Sequence, residues 1–191
     1  MNMLQTKKIV ITGGPSTGKT VVINKLEALG FTCLHEVIRD MTQEEKNEDS
    51  TTEFITNPIV SVADPMAFNT NLLNARIAQY ESAKNNASDL IFFDRGIPDV
   101  LAYMDCFGQS YDSLFKEAAE RNIYDTIFIM PPWREIYVVD GERFESYEES
   151  LRINDALTNS YVSLGYNVQV VPKVSIDERV RFILEQLNIS Y

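Results

Sequence analysis

The sequence predicts an α/β fold, a parallel sheet covered on both faces by helices. Short apolar runs of strand length alternate with helix-period segments along the whole chain. The first such run enters Gly13-Gly14-Pro15-Ser16-Thr17-Gly18-Lys19-Thr20, which fits G-x-x-x-x-G-K-[ST] and opens a helix. At 191 residues and 45% apolar composition, the chain is long enough for one domain with a sizeable core, spanning 1–191.

The first strand is Lys8–Thr12, a β-branched stretch. Val22, Leu26 and Leu29 then form a helical stripe that Gly30 is placed to end. Phe31–His35 reads as the second strand, and Val37–Met41 as the opening of a helix that passes into the acidic run Glu44–Ser50. Asp64 and Pro65 suit the N-cap and first position of a helix reaching about Lys84, with Met66, Leu73, Ile77, Tyr80 and Ala83 on one face. Leu90–Phe93 is the third strand, and helices follow from Pro98 to near Gly108 and from Asp112 to Arg121. Thr126–Met130 is the fourth strand, stopped by Pro131-Pro132.

The charged stretch from Trp133 to Tyr147 follows a strand end and reads as a loop or lid, the lid as a whole covering about 131–147. Ser146 with Glu149, and Ser175 with Glu178, form capping boxes. The first opens a helix carrying Ile153, Leu157, Tyr161 and Leu164; the second opens one carrying Ile176, Val180, Ile183, Leu184 and Leu187. Between them, Val168–Val171 is the fifth strand and Pro172-Lys173-Val174 a loop.

Phosphate chemistry follows from the residues of the Gly13–Thr20 motif, a P-loop. Glycines let the backbone approach an anion, and successive N–H groups with the helix N-terminus cradle it. Lys19 can reach terminal phosphates, and Thr20 can offer its hydroxyl to Mg²⁺. No Asn-Lys-x-Asp base-reading motif is present, which favours ATP over GTP.

Ligands of such sheets bind beyond the carboxyl ends of the strands. Asp94, after the third strand, can hold Mg²⁺ or take a proton from a hydroxyl, or serve only as a helix cap. Arg95 can fork onto a phosphate or substrate oxygen. Glu36, after the second strand, fits a general base, a Mg²⁺ ligand or a solvated first-turn glutamate. Arg39 accompanies it, and Gln79, in the segment walling the acceptor pocket, is a further candidate substrate contact. Arg134 and Arg143 in the lid can neutralise a transferring phosphoryl group or simply pair with Glu135, Asp140, Glu142 or Glu145. Trp133 is read as packing.

A net charge of −11 argues against general nucleic-acid binding. His35 is the only histidine, so a histidine-rich metal site is excluded. Cys33 and Cys106 lie in no metal or redox spacing and are expected to be buried free thiols. No signal-peptide pattern or membrane-length apolar run is found, so a cytoplasmic location without membrane contact is expected.

The chain resembles a family of small P-loop proteins of AAA-type ATPase-like character, related to the nicotinamide-riboside kinase domain and to deoxynucleoside and nucleotide kinases. The resemblance is carried by Ile11–Thr20, His35–Arg39, Phe92–Asp99, Pro131–Tyr137, and Leu164 through Pro172 to Glu178-Arg179-Val180. It implies a three-layer sandwich with strand order 2-3-1-4-5, a Pro172-Lys173-Val174 loop near the adenine, and Glu36 and Asp94-Arg95 facing a phosphoryl acceptor. The expected activity is ATP- and Mg²⁺-dependent transfer to a nucleoside- or riboside-like hydroxyl. The alternative is a nucleotide-dependent switch acting through a protein partner.

Overall fold

In a computed structural model of the chain, residues 6–38, 64–137 and 145–190 are described. Strands β1 (Lys7–Thr12), β2 (Thr32–Leu34), β3 (Leu90–Asp94), β4 (Thr126–Ile129) and β5 (Val168–Val170) form one sheet in the order β2-β3-β1-β4-β5. Every pairing is parallel, with Ile9 opposite both Phe92 and Thr126. This is the strand order that the resemblance implies, with β1 at the centre.

Side chains alternate between the faces of a strand, and that period divides the core in two. Ile9, Ile11, Phe92 and Phe128 point to one face, where α1 (Lys19–Ala28) supplies Val22, Ile23 and Leu26. The last helix, α6 (Ile176–Gln186), closes that face with Val180, Ile183 and Leu184. Val10, Ile91, Phe93, Ile127 and Ile129 point to the other face. It is covered by α2 (Pro65–Lys84), α3 (Ile97–Cys106), α4 (Ser113–Arg121) and α5 (Tyr147–Ser163). Each large side chain so buried contributes roughly 1.5–3 kcal/mol.

The expected helix signals are present in the structure. The Asp64 side chain accepts the Ala67 N–H at 3.0 Å with Pro65 beside it, and the capping boxes of Ser146–Glu149 and Ser175–Glu178 are both made. The expected apolar faces need correction at their ends. Leu29 caps α1 and is 41% exposed, and Ile23 takes the core position instead. Met66 and Ile176 lie in first turns and are also exposed. The strands β2, β4 and β5 are shorter than their apolar runs, because ladder pairing ends before the apolar residues do.

Within the expected lid, Arg134–Ile136 is a 3-10 turn and Tyr147 is already the first residue of α5. Val37 and Ile38 are helical. The rest of that expected helix, the Glu44–Ser50 run, and residues 138–144 of the lid lie outside the described residues. Cys33 and Cys106 are free but only half-buried, unlike the buried thiols expected. Among the described residues, no helix is long and apolar enough to cross a membrane.

Candidate active site

β1 ends against the start of α1, and the Gly13–Thr20 loop fills the junction. Gly13 has φ +148°, and a Cβ there would sit 2.5 Å from the Met130 carbonyl oxygen at the end of β4. Gly18 caps α1 in the left-handed region at φ +85°. Neither position suits another residue. The Thr17 hydroxyl donates to the Gly14 carbonyl at 3.0 Å, and the Lys19 ammonium donates to the same oxygen at 2.7 Å. Lys19 is thereby folded back over the loop. Burial, and then the nearby Arg95 charge, lower its pKa to about 7, while Asp94, Glu36 and Asp99 oppose the shift. The ammonium thus lies near enough to the acids beyond β2 and β3 to feel their charge.

Those acids join a cluster built from the ends of β2 and β3 and from α2, α3 and α5. Glu36, just past β2, accepts from Arg76 Nη2 of α2 at 2.7 Å and from Arg95 Nε at 2.5 Å. Arg95, past β3, also donates from Nη1 to Asp99 Oδ1 of α3 at 3.1 Å, and its guanidinium lies 5.2 Å from the Tyr103 ring centroid. Its backbone has φ +74°, an uncommon state for a side-chain-bearing residue. Asp99 is saturated: Thr12 Oγ1 and Tyr161 OH each donate to it at 2.6 Å, and the Gly96 N–H at 2.9 Å. Burial alone would raise the Asp99 pKa, but Arg95, Arg76 and the two hydroxyl bonds hold it below the usual carboxylate range.

Among the described residues, two members of the cluster keep unused bonding capacity. Asp94 is 3% exposed and its Oδ1 has no partner; burial, and then the Glu36 charge, raise its pKa. Arg76 is 2% exposed, and neither its Nε nor its Nη1 finds an acceptor. Unpaired buried groups of this kind cost stability unless a ligand, ion or water completes the bonding.

The Asp94 carboxylate and Thr20 hydroxyl are a donor set of the kind Mg²⁺ accepts, since that ion uses one or two carboxylates with water and phosphate oxygens. Among the described residues there is no cluster of three or more His, Cys, Asp or Glu that could hold a metal on its own.

The other sequence candidates lie nearby but are differently engaged. Gln79 donates to the His35 carbonyl at 2.7 Å and so pins the peptide before Glu36. Arg134 is exposed and stacks 5.0 Å from the Tyr147 ring centroid; it pairs with no carboxylate among the described residues. The Tyr137 hydroxyl closes this turn onto the Glu145 carbonyl. Arg39 and Arg143 lie outside the described residues. The Pro172-Lys173-Val174 loop adjoins the P-loop through Arg179, which donates to the Val174 carbonyl at 2.8 Å and the Thr17 carbonyl at 3.0 Å. Trp133 packs against that same guanidinium at 4.8 Å.

Sequence reading missed Arg76, Asp99, Tyr161 and Arg179 as site-forming residues. Arg76 had a signal, as a cation on the same stripe as Leu72, Leu73 and Tyr80. Asp99 had another, three residues after a glycine at a strand end, the spacing of a first-turn cap.

A family model described as an AAA domain matches residues 8–179. No curated protein sequence matches the chain. Among solved structures, the NadR protein in complex with NR superposes with TM-score 0.73 at 16% identity, over 97% of this chain and 52% of that one. The chain therefore spans about half the length of that protein. Deoxyadenosine kinase from M. mycoides, bound to dCMP and dCDP, gives 0.66 at 17% identity over 95% and 98%. Thymidylate kinase from Ehrlichia chaffeensis gives 0.64 at 15% over 96% and 99%.

Proposed function

Because the chain belongs to the AAA-domain family and has the P-loop kinase fold, we propose that it is an ATP-dependent kinase acting on the hydroxyl of a small nucleoside- or riboside-like acceptor. The observation that carries this reading is the state of Glu36. Arg76 and Arg95 hold its two oxygens at 2.7 and 2.5 Å, on the sheet end where the P-loop lies. A glutamate fixed in this way can accept the proton of an acceptor hydroxyl as the hydroxyl attacks. The bond from acceptor oxygen to γ-phosphorus forms, the bond to the β–γ bridging oxygen breaks, and ADP leaves.

Residues of this chain supply the rest of the site. Successive N–H groups of Gly13, Gly14, Pro15–Gly18 and Lys19 surround the polyphosphate, with proline contributing shape rather than a donor. The Lys19 ammonium moves from the Gly14 carbonyl to the phosphates. Thr20 and Asp94 would hold Mg²⁺, which would neutralise phosphate charge there. The Arg76 N–H groups without partners take acceptor oxygens or nitrogens. Arg134 and Arg143 belong to the lid side, Arg39 and Gln79 to the rim of the acceptor pocket, and Pro172-Lys173-Val174 to the adenine.

Incubating the protein with MgATP and a panel of nucleosides and ribosides tests the reading. ADP release that depends on one class of acceptor is expected. The alternative reading is a nucleotide-dependent switch working through a protein partner, which the net charge of −11 motivates. ADP release of the same rate with and without every acceptor would favour that reading over the kinase.

A further inference from the structure

Arg179 is a buried cation to which neither the fold nor the acceptor chemistry assigns a task. It lies in the first turns of α6, is 4% exposed, and has no carboxylate partner among the described residues. Burial pulls its pKa below the ordinary arginine value, and no neighbouring charge opposes that. Instead of an anion it has two carbonyls and an aromatic face. Its Nη1 donates to the Thr17 carbonyl at 3.0 Å, its Nε to the Val174 carbonyl at 2.8 Å, and its guanidinium lies 4.8 Å from the centroid of the Trp133 ring. One side chain thus ties together the P-loop, the loop after β5 and the start of the lid.

The bond to Thr17 has a consequence within the phosphate cradle. Thr17 C=O and Gly18 N–H belong to one planar trans peptide and point opposite ways. Fixing the carbonyl on Arg179 therefore aims the Gly18 N–H away from Arg179 and keeps it from turning. The fit leaves little slack, because a Cβ on Gly18 would come within 3.0 Å of Arg179 Nη1. The α6 turn that carries Arg179 is itself held to α1, where Lys25 and Asp177 pair at 2.9 Å. A buried guanidinium without a counter-ion is costly, and a polyphosphate in the adjoining loop supplies negative charge close to it. The same arrangement therefore orients a donor and favours an anion.

We propose that Arg179 is a positioning residue for the nucleotide phosphates. Braced between the Val174 carbonyl and the Trp133 ring, it fixes the Thr17–Gly18 peptide and lends the cradle its uncompensated charge. The proposal rests on the reading of Gly13–Thr20 as a nucleotide site, but not on the identity of the acceptor or on turnover.

Inorganic tripolyphosphate separates the phosphate role from a role at the base, because it has no base to stack. Binding of MgATP and of tripolyphosphate is measured by titration calorimetry for the wild type, Arg179→Met and Arg179→Lys, with thermal melting alongside. Arg179→Met is expected to weaken both ligands by the same factor, about tenfold, the scale of one hydrogen bond to a charged group. Arg179→Lys keeps the charge and stem but cannot span both carbonyls, and is expected to lose about threefold for both.

Trp133, the chain's single tryptophan, gives a second readout: tripolyphosphate changes its fluorescence in the wild type and not in Arg179→Met. If Arg179→Met does not fold, the tripolyphosphate and MgATP affinities of the Lys variant decide. Tripolyphosphate affinity unchanged in both variants overturns the proposal, whatever happens to ATP; so does a lower melting temperature with unchanged affinities. A wild type that binds both ligands but releases no ADP to any acceptor removes the kinase reading and leaves the brace standing. A wild type that binds neither ligand removes the nucleotide site itself.

Discussion

In the proposed site, the phosphate side and the acceptor side are built on opposite plans. The phosphate side is one contiguous run, Gly13–Thr20, whose main tools are backbone N–H groups and two positive-φ glycines. The acceptor side gathers side chains from the ends of β2 and β3 and from α2, α3 and α5: Glu36, Arg76, Asp94, Arg95, Asp99 and Tyr161. A backbone cradle is fixed by local conformation, so one wrong residue disturbs all of it. A side-chain cluster is fixed by mutual charge, so losing one member leaves another uncompensated. The first plan suits a ligand part that all nucleotides share, the second a part that differs between acceptors.

Glu36→Gln is the sharpest test of that division. It is expected to lower kcat by roughly 10²–10⁴-fold, while ATP affinity measured by calorimetry stays within twofold. Loss of ATP binding as well would show that the two sides are not separable.

Gly13→Ala makes the reverse cut. A Cβ at 2.5 Å from the Met130 carbonyl oxygen, on a φ of +148°, should cost about 1–3 kcal/mol of stability in denaturant unfolding and abolish measurable ATP binding.

Nucleotide affinity should also depend on pH through Lys19. Its pKa in the free protein is about 7, and a bound phosphate chain favours the charged ammonium. Binding above pH 7 therefore takes up a proton, and affinity should fall by up to about tenfold per pH unit above that value. Calorimetry in buffers of different ionisation enthalpy reads the uptake directly. The same shift acts on stability without ligand. Lys19 is harder to charge in the fold than in the unfolded chain, so its contribution to stability improves as pH rises from about 7 towards 10.5.

Asp94→Asn has the smallest effect on the fold and the opposite sign. Asp94 has a raised pKa, chiefly from burial, so its ionised form opposes folding once pH exceeds the ordinary carboxylate value. The amide should raise the melting temperature by a few degrees at pH 7, roughly 2–4 °C per kcal/mol relieved, while phosphoryl transfer falls at least about 10²-fold. A variant no more stable than the wild type would mean that the Asp94 pKa is not raised in the fold.

The contrast between the two sides also explains what could be read from the sequence. Gly13–Thr20 was legible because its spacing alone defines its geometry, and the strand order followed from the resemblance that this run and its partners carry. Glu36, Asp94 and Arg95 were legible as strand-end residues, but not their bonds to one another. Arg76 stood among the apolar residues of a helix, and nothing local indicates that it reaches Glu36 across 40 positions. Nothing in the sequence near Asp99 indicates that Tyr161, 62 residues away, bonds to it. Leu29 and Met66 failed for the opposite reason: helical spacing continues past the point where a helix leaves the core.

The central place of β1 has a consequence for how the chain comes to be active. Its neighbours in the sheet begin at Leu90 and Thr126, so the strand that launches the P-loop is made early and paired late. Until residues far downstream have been synthesised, that apolar strand has no ladder to join, and the loop behind it has no floor at Met130 or brace at Arg179. Folding dominated by such distant pairings is slow, and its unpaired intermediates are exposed to aggregation. Newly made chains should therefore acquire nucleotide binding only once β4 and α6 have been made, and fragments ending before β4 should not bind nucleotide.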